Sequence, residues 1–196
     1  MTKKDFILNF EGPFGLTKSL TPLIFDHPIA KESGLYLWTV PYFQGGYLVT
    51  YIGETCTSFG QRVKDHLIQL MGGNYRICDP DLIVQGKVQV RWNGLWRKGT
   101  RDKMPEYLER LEEFTPNIRK LLQIEIVFVA PFKSTRRLRQ RLEGALAKHI
   151  KSQPAPVSSV LPLDIRYYQR KADETPVTMA IECHCHIHGL PKDLEG

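Results

Sequence analysis

Two short runs rich in aromatic and β-branched residues, LYLWTV at 35–40 and YLVTYIG at 47–53, dominate the hydrophobic pattern of the first third of the chain. Such residues suit a pleated, half-buried surface, and the two runs predict the arms of one hairpin. The connection from Pro41 to Gly46 ends in Gly45-Gly46, a pair able to turn the chain back through positive φ. Simple alternation places Gly34, Tyr36, Trp38 and Val40 on one face, and Tyr47, Val49, Tyr51 and Gly53 on one face of the partner strand. The phenols of Tyr36 and Tyr51 are then expected side by side on one sheet.

The period changes after the hairpin. Phe59, Val63, Leu67, Leu70 and Met71 recur at helical spacing and predict a helix from about Ser58 to Met71. Ser58 with Gln61 forms a capping-box pattern, and Gly72-Gly73 marks the stop. Arg62 and His66 fall together on one shoulder of the apolar stripe. Strands are expected at Leu82–Val84 and Lys87–Trp92, then a helix at Pro105–Phe114 that breaks at Thr115-Pro116 and resumes to Leu122. The run Gln123–Ala130 reads as a central buried strand. A second long helix carries Leu138, Leu142, Ala145, Leu146 and His149 as its buried stripe and ends before Pro154, with Glu143 on the stripe's shoulder.

The ends of the chain carry weaker patterns. Phe6–Phe10 suits a short strand, and the stretch onward to Ser33 reads as an irregular lead-in. Beyond Pro154 one more strand is expected at Val177–His188. Its CHCHIH tract puts Cys183 and Cys185 on one face and His184, His186 and His188 on the other, a spacing open to a transition metal or to a plain strand with one polar face.

With 196 residues, 42% of them hydrophobic and 24% charged, the chain matches one ordinary globular domain with insertions. Four cysteines without C-x-x-C spacing, and no apolar run long enough for a signal peptide or membrane span, lead to the expectation of a reduced, cytoplasmic protein with no membrane partner. A net charge of +6 permits a polyanionic partner without requiring one. Two tracts concentrate that charge. RWNGLWRKGTRDK, residues 91–103, brings five basic residues, two tryptophans and one acid, and KSTRRLRQR, residues 133–141, brings five basic residues and no acid. Guanidinium, ammonium and flat indole together suit contact with phosphates and stacking on bases. Arg91, Trp92, Trp96, Arg97, Lys98, Arg101, Arg136 and Arg139 are therefore candidate nucleic-acid contacts, set against a solvated loop with tryptophans anchored in the core.

Gly34-Leu35-Tyr36, then Tyr51-Ile52-Gly53, then helix-borne Arg62 and His66, then a distant helix-borne Glu143 form an ordered series that resembles the GIY-YIG nuclease family. The likeness covers about residues 33–71 and 123–152, leaving 72–122 as an insertion and 153–196 as a C-terminal extension of a single nuclease domain spanning 1–196. It implies an α+β fold, a small antiparallel β-sheet flanked by helices, with Mg²⁺ or Mn²⁺ held by Glu143 and one-metal hydrolysis of double-stranded DNA. Tyr36, Tyr51, Arg62, His66 and Glu143 take the catalytic positions. The interval after Glu143, where the family places an asparagine, reads KSQPAPVSS, with Gln153 and Ser158 as polar substitutes.

The chemistry itself asks for these side chains. Mg²⁺ needs only one or two protein carboxylates, so a single Glu143 suffices. A planar guanidinium at Arg62 suits the scissile phosphate better than an ammonium would. Tyr36 and His66 are rival bases, because a phenol with an ordinary pKa of about 10 needs neighbouring cations to act near neutrality. Among the family's roles, a type II restriction enzyme acting as a homodimer on a palindromic site is expected. A structure-selective repair or recombination nuclease, or a catalytically weak nucleic-acid-binding module, is the alternative.

Overall fold

A computed structural model of the chain describes residues 5–18, 22–96, 99, 101–162 and 167–196, residue 101 by its backbone alone. The chain begins with β1 (Phe6–Gly15) and passes through two short 3₁₀ turns into the hairpin of β2 (Gly34–Pro41) and β3 (Tyr47–Thr55). Helix α1 (Phe59–Met71) follows, then β4 (Ile77–Cys78), α2 (Pro80–Ile83), β5 (Val90–Trp92), α3 (Met104–Glu109) and α4 (Leu111–Ile124). The second half consists of β6 (Ile126–Pro131), α5 (Arg136–Lys151), α6 (Val157–Val160), β7 (Thr178–Cys183) and β8 (Asp193–Glu195).

Six strands form one sheet in the order β3-β2-β6-β1-β7-β8, and β4 pairs with β5 in a separate ribbon. This corrects the small antiparallel sheet expected from the resemblance. The sheet is mixed: β1 and β7 run parallel, with Phe6 beside Met179 and Phe10 beside Cys183. The extra parallel strands come from the short strand candidates at the two ends of the chain, Phe6–Phe10 and Val177–His188. Their hydrophobic patterns were too short to announce a shared sheet, and a parallel pair needs no turn sequence linking its members.

The sheet buries both faces. Leu35, Leu37, Ile52 and Phe128 pack on one side with Leu142 and Leu146 of α5. Tyr36, Trp38, Val127 and Val129 pack on the other with Phe59 and Val63 of α1. The insertion closes a third cluster in which Trp92, Tyr107, Phe114 and Leu121 meet Val40 and Leu48. Arg141 reaches under the sheet's far edge, where its guanidinium donates to the Thr175 and Gly196 carbonyls.

Local chemistry explains several departures from the expected elements. Leu82 lies in helix α2 rather than a strand, because Pro80 opens the turn and the Asp79 carboxylate caps it by accepting from the Asp81 and Leu82 N–H groups. The expected break at Thr115-Pro116 falls instead at Arg110, and Pro116 sits inside α4. Pro116 is exposed, so the carbonyl it leaves without an amide partner faces water. The C-terminal strand stops at Cys183. Its continuation crosses the hairpin, where the Tyr47 N–H donates to the His186 carbonyl and the His188 N–H donates to the Tyr47 carbonyl.

The hairpin also breaks its own alternation. Trp38 pairs with Tyr51 while Thr39 pairs with Val49, so Thr50 is an extra residue in β3. A bulge of this kind flips the side-chain pattern on one strand. Val49 therefore belongs to the α5 side and Tyr51 to the α1 side, correcting the expected common face for Tyr47, Val49, Tyr51 and Gly53.

Candidate active site

Tyr36 is the centre of the site, and two glycines let it be there. A Cβ on Gly53 would lie 2.2 Å from both Cζ and the hydroxyl oxygen of Tyr36, so the phenol occupies the space a side chain at position 53 would fill. A Cβ on Gly34 would meet the Ala130 carbonyl oxygen at 2.1 Å, so β6 approaches β2 closely only because position 34 is bare. The tripeptides 34–36 and 51–53 thus interlock physically, the glycine of the second accommodating the tyrosine of the first.

Helix α1 supplies the next two groups. The Ser58 side chain caps it by accepting from the Gln61 N–H, and the stripe of Phe59 and Val63 seats it on the sheet. Arg62 Nε donates to the Tyr36 hydroxyl at 3.0 Å, and that hydroxyl lies 2.9 Å from His66 Nε2. A guanidinium can only donate, so the Tyr36 oxygen accepts from Arg62. The phenol's own proton is satisfied by pointing at an unprotonated His66 Nε2.

The electrostatics agree with that assignment. Burial and the charge of Arg62 push His66 down to about 3, which keeps its imidazole neutral. Burial and the neighbouring Tyr51 raise Tyr36 well above the ordinary phenol, while Arg62 opposes the rise. Burial opposes the charge of Arg62, but the phenols around it outweigh this and hold it protonated. Tyr51 stacks beside Tyr36 with ring centroids 6.1 Å apart and meets the edge of His66 at 5.0 Å.

Glu143 projects from α5 towards the same group. Its charge raises both Tyr36 and Tyr51, and its own pKa is pushed up to about 7 by burial and by the neighbouring carboxylate of Glu54, against the Glu54 backbone N–H and Arg62. Four elements, β2, β3, α1 and α5, therefore bring Tyr36, Tyr51, Arg62, His66 and Glu143 together.

Glu54 and Tyr167 join them without having been singled out from the sequence. The Glu54 backbone N–H opposes the upward push on Glu143, and the Glu54 carboxylate pairs with Arg139 at 3.0 Å and Arg136 at 3.6 Å. It immediately follows the Tyr51-Ile52-Gly53 tripeptide, which was the available signal. The Tyr167 hydroxyl is buried beside Tyr51 and Glu143, near the Ile52 backbone but without a well-formed hydrogen bond. Nothing local in its proline-punctuated segment announces that position. Gln153, one substitute for the family asparagine, lies just past the end of α5 and bonds His149 of that helix at 3.1 Å instead.

The residues fit a divalent ion on one carboxylate. Glu143 forms no ion pair among the described residues, whereas Glu54 is already neutralised by two arginines. No group of three or more His, Cys, Asp or Glu side chains converges among the described residues, which leaves phosphate oxygens and water to complete a coordination shell around Glu143. The CHCHIH tract does not form such a group: the His186 and His188 rings touch at 4.3 Å, and His188 Nε2 lies 2.8 Å from the Gly45 carbonyl.

The candidate nucleic-acid contacts separate by location. Trp92 is buried and donates Nε1–H to the Gly73 carbonyl at 2.7 Å, and Arg91 is paired with Asp79 at 2.6 Å. Arg139 is only 5% exposed and is taken by Glu54, so it braces the site rather than facing a ligand. Arg136 remains largely exposed at the site's rim. Trp96 is 59% exposed and packs edge-on against Tyr75. Arg97 and Lys98 lie outside the described residues, as does the side chain of Arg101.

A cavity of about 410 Å³ opens beside the cluster, with Tyr51, Arg62 and His66 forming one wall. No helix among the described residues is long and apolar enough to cross a membrane. No family model, curated protein or solved structure matches this chain.

Proposed function

We propose that the protein is a divalent-metal-dependent endonuclease that hydrolyses phosphodiester bonds in DNA. The observation that carries this reading is a single phenol, Tyr36, bonded at once to Arg62 and to His66, with the carboxyl of Glu143, which forms no ion pair among the described residues, within electrostatic reach of it. A phosphodiester needs an attacking water relieved of its proton and neutralisation of the charge that builds on phosphorus. These side chains offer both functions around one point. The ordered likeness to the GIY-YIG motifs supports the same reading independently of the sheet.

In this mechanism Tyr36 accepts the water's proton while its own proton passes to His66 Nε2, so no free phenolate has to form in the buried site. Burial and Arg62 make His66 a weak acceptor in the unliganded site. The negative charge of a bound phosphate offsets the cost of its protonation. Arg62 holds the Tyr36 oxygen through Nε and has its remaining N–H groups available to phosphate oxygens. Glu143 would hold Mg²⁺ or Mn²⁺, which supplies Lewis-acid neutralisation of the phosphate when bound. Arg139 and Arg136, by drawing Glu54 away from Glu143, limit the repulsion between the two carboxylates.

A type II restriction role with a homodimer on double-stranded DNA is the biological setting this reading favours, because the chain carries its insertion within the nuclease unit. Supercoiled plasmid incubated with purified protein and Mg²⁺ tests it. Nicked or linear DNA should form, EDTA should abolish it, and Tyr36→Phe and Glu143→Ala should each slow it by roughly 10²- to 10⁴-fold, the usual reach of acid–base and metal assistance. Discrete fragments mark restriction, and junction-dependent nicks mark a repair nuclease. Cleavage undiminished in either variant, or none at all with Mg²⁺ and Mn²⁺, overturns the proposal.

A further inference from the structure

The cavity beside Tyr36 contains more than the hydrolytic cluster requires. Its deep side is formed by Trp38 and Glu125, and its outer side by Tyr75 and Trp96. At about 410 Å³ it falls within the range of about 300–1,000 Å³ usual for sites that enclose small organic groups. Two polar atoms on residues that line it are unspent. Trp38 Nε1 and Glu125 Oε2 are buried, and neither has a hydrogen-bond partner among the described residues. Buried polar atoms without partners cost stability, and their persistence points to a ligand that completes them.

The walls are flat. Tyr75 and Trp96 meet at 85° with centroids 5.3 Å apart, and Tyr75 leans on His66 at 5.3 Å. Trp38 also lies against His66, with centroids 5.4 Å apart. A planar ring entering this corner finds aromatic faces beside it and hydrogen-bonding atoms at its far edge. Glu125 is pushed up to about 8 by burial alone, so near neutral pH its carboxyl carries a proton and can donate as well as accept. The titratable and charged groups sharing the cavity with it are Tyr51 of β3, Arg62 and His66 of α1, Tyr75 and Arg76 of the following turn, and Cys78 of β4.

We infer that this cavity receives an unpaired nucleobase from the strand whose phosphate sits at Tyr36, stacked at Tyr75 and Trp96 and read at its edge by Trp38 and Glu125. The inference rests on the endonuclease reading and deepens it. The wall of Tyr51, Arg62 and His66 is shared between the cavity and the cluster around Tyr36, so a base in the cavity and a phosphate at the cluster are neighbours. Taking a base out of a duplex costs a few kcal/mol of stacking and pairing. A strand whose base is already unpaired avoids that cost and binds more tightly.

Fluorescence anisotropy with the full chain tests this, using Ca²⁺ in place of Mg²⁺ and two otherwise identical duplexes, one fully paired and one with a single unpaired adenine. The unpaired duplex should bind at least about tenfold more tightly. Trp96→Ala and Glu125→Leu should each bring the ratio close to one, while Glu125→Gln, which keeps a donor, should preserve it. Because Trp96 is exposed, its truncation leaves the core intact, and it decides the matter if Glu125→Leu does not fold. Equal affinity for the two duplexes, or a preference that survives Trp96→Ala, overturns the base pocket while Mg²⁺-dependent plasmid cleavage leaves the endonuclease reading standing. A preference that depends on Trp96 without any cleavage supports the pocket and overturns hydrolysis. Failure to bind either duplex overturns both.

Discussion

At the scale of single residues, the site is organised by what is missing at position 53. The Tyr36 ring is almost wholly buried, with 1% of its surface exposed, and its hydroxyl is held from both sides by Arg62 and His66. It cannot swing away to make room for a methyl group at Gly53, whose Cβ would lie 2.2 Å from the phenol. Gly53→Ala should therefore shift Tyr36, cost about 1–3 kcal/mol of stability from overpacking, and reduce DNA cleavage by at least about 100-fold through misplacement of the hydroxyl. Urea unfolding and plasmid nicking on the same preparation check both effects. A stable variant with wild-type cleavage would show that the Tyr36 hydroxyl is not needed at this spot. The sequence made the two tripeptides visible, and the helical spacing made Arg62 and His66 visible. It did not disclose Glu54, because a lone carboxylate after a strand looks like any solvated strand end. What distinguishes Glu54 is that α5 brings Arg136, Arg139 and Glu143 to it from more than eighty positions away, as the 85-residue separation of the Arg139 bond records.

At the scale of elements, periodicity located the hairpin, α1 and α5 but not the bulge within β3. A two-residue repeat read along the chain assumes one residue per pleat, and Thr50 violates that assumption once. The consequence reaches the candidate site: the same irregularity that sends Val49 to the α5 side delivers Tyr51 to Tyr36. Deleting Thr50 restores one residue per pleat and leaves Tyr51 opposite Trp38 and Val49 opposite Thr39, because adjacent residues of a regular strand already face opposite ways. The deletion should therefore keep both cleavage and the thermal midpoint near wild type. Cleavage lost after the deletion in a folded protein would mean that the added twist of the bulge, and not the facing of Tyr51 alone, positions the phenol. The insertion is a second case in which local pattern and tertiary context diverge. Apolar Leu82–Val84 suggested a strand, but Asp79 and Pro80 set a helical turn there, and capping chemistry outweighed a three-residue propensity.

At the scale of the whole molecule, the mixed sheet arises from the pairing of Phe6–Phe10 with Met179–Cys183, two weak strands at opposite ends of the chain. The two are far apart in sequence and joined by no turn, so only the closed fold reveals their partnership. The same closure creates buried titratable groups whose effects reach global stability. Glu125 binds its proton up to about pH 8 in the folded protein against 4.5 for an ordinary glutamate. Between those values the folded state carries a proton the unfolded chain has lost, so stability is full below about pH 4.5 and declines as pH rises through about 8. His66 acts in the opposite sense: the unfolded chain takes up its proton below 6.5 while the folded one resists to about 3, so its contribution is lost as pH falls through that window. Because the two slopes oppose each other between 4.5 and 6.5, the total profile hides both, and the difference between variants isolates one. Glu125→Gln removes the Glu125 proton without changing its shape. Unfolding free energies measured at pH 5, 6.5 and 8 should show the variant gaining on the wild type at each step, by on the order of 1 kcal/mol per pH unit. Parallel profiles would mean that Glu125 ionises in the folded protein as it does in water, and would place its carboxyl in contact with solvent.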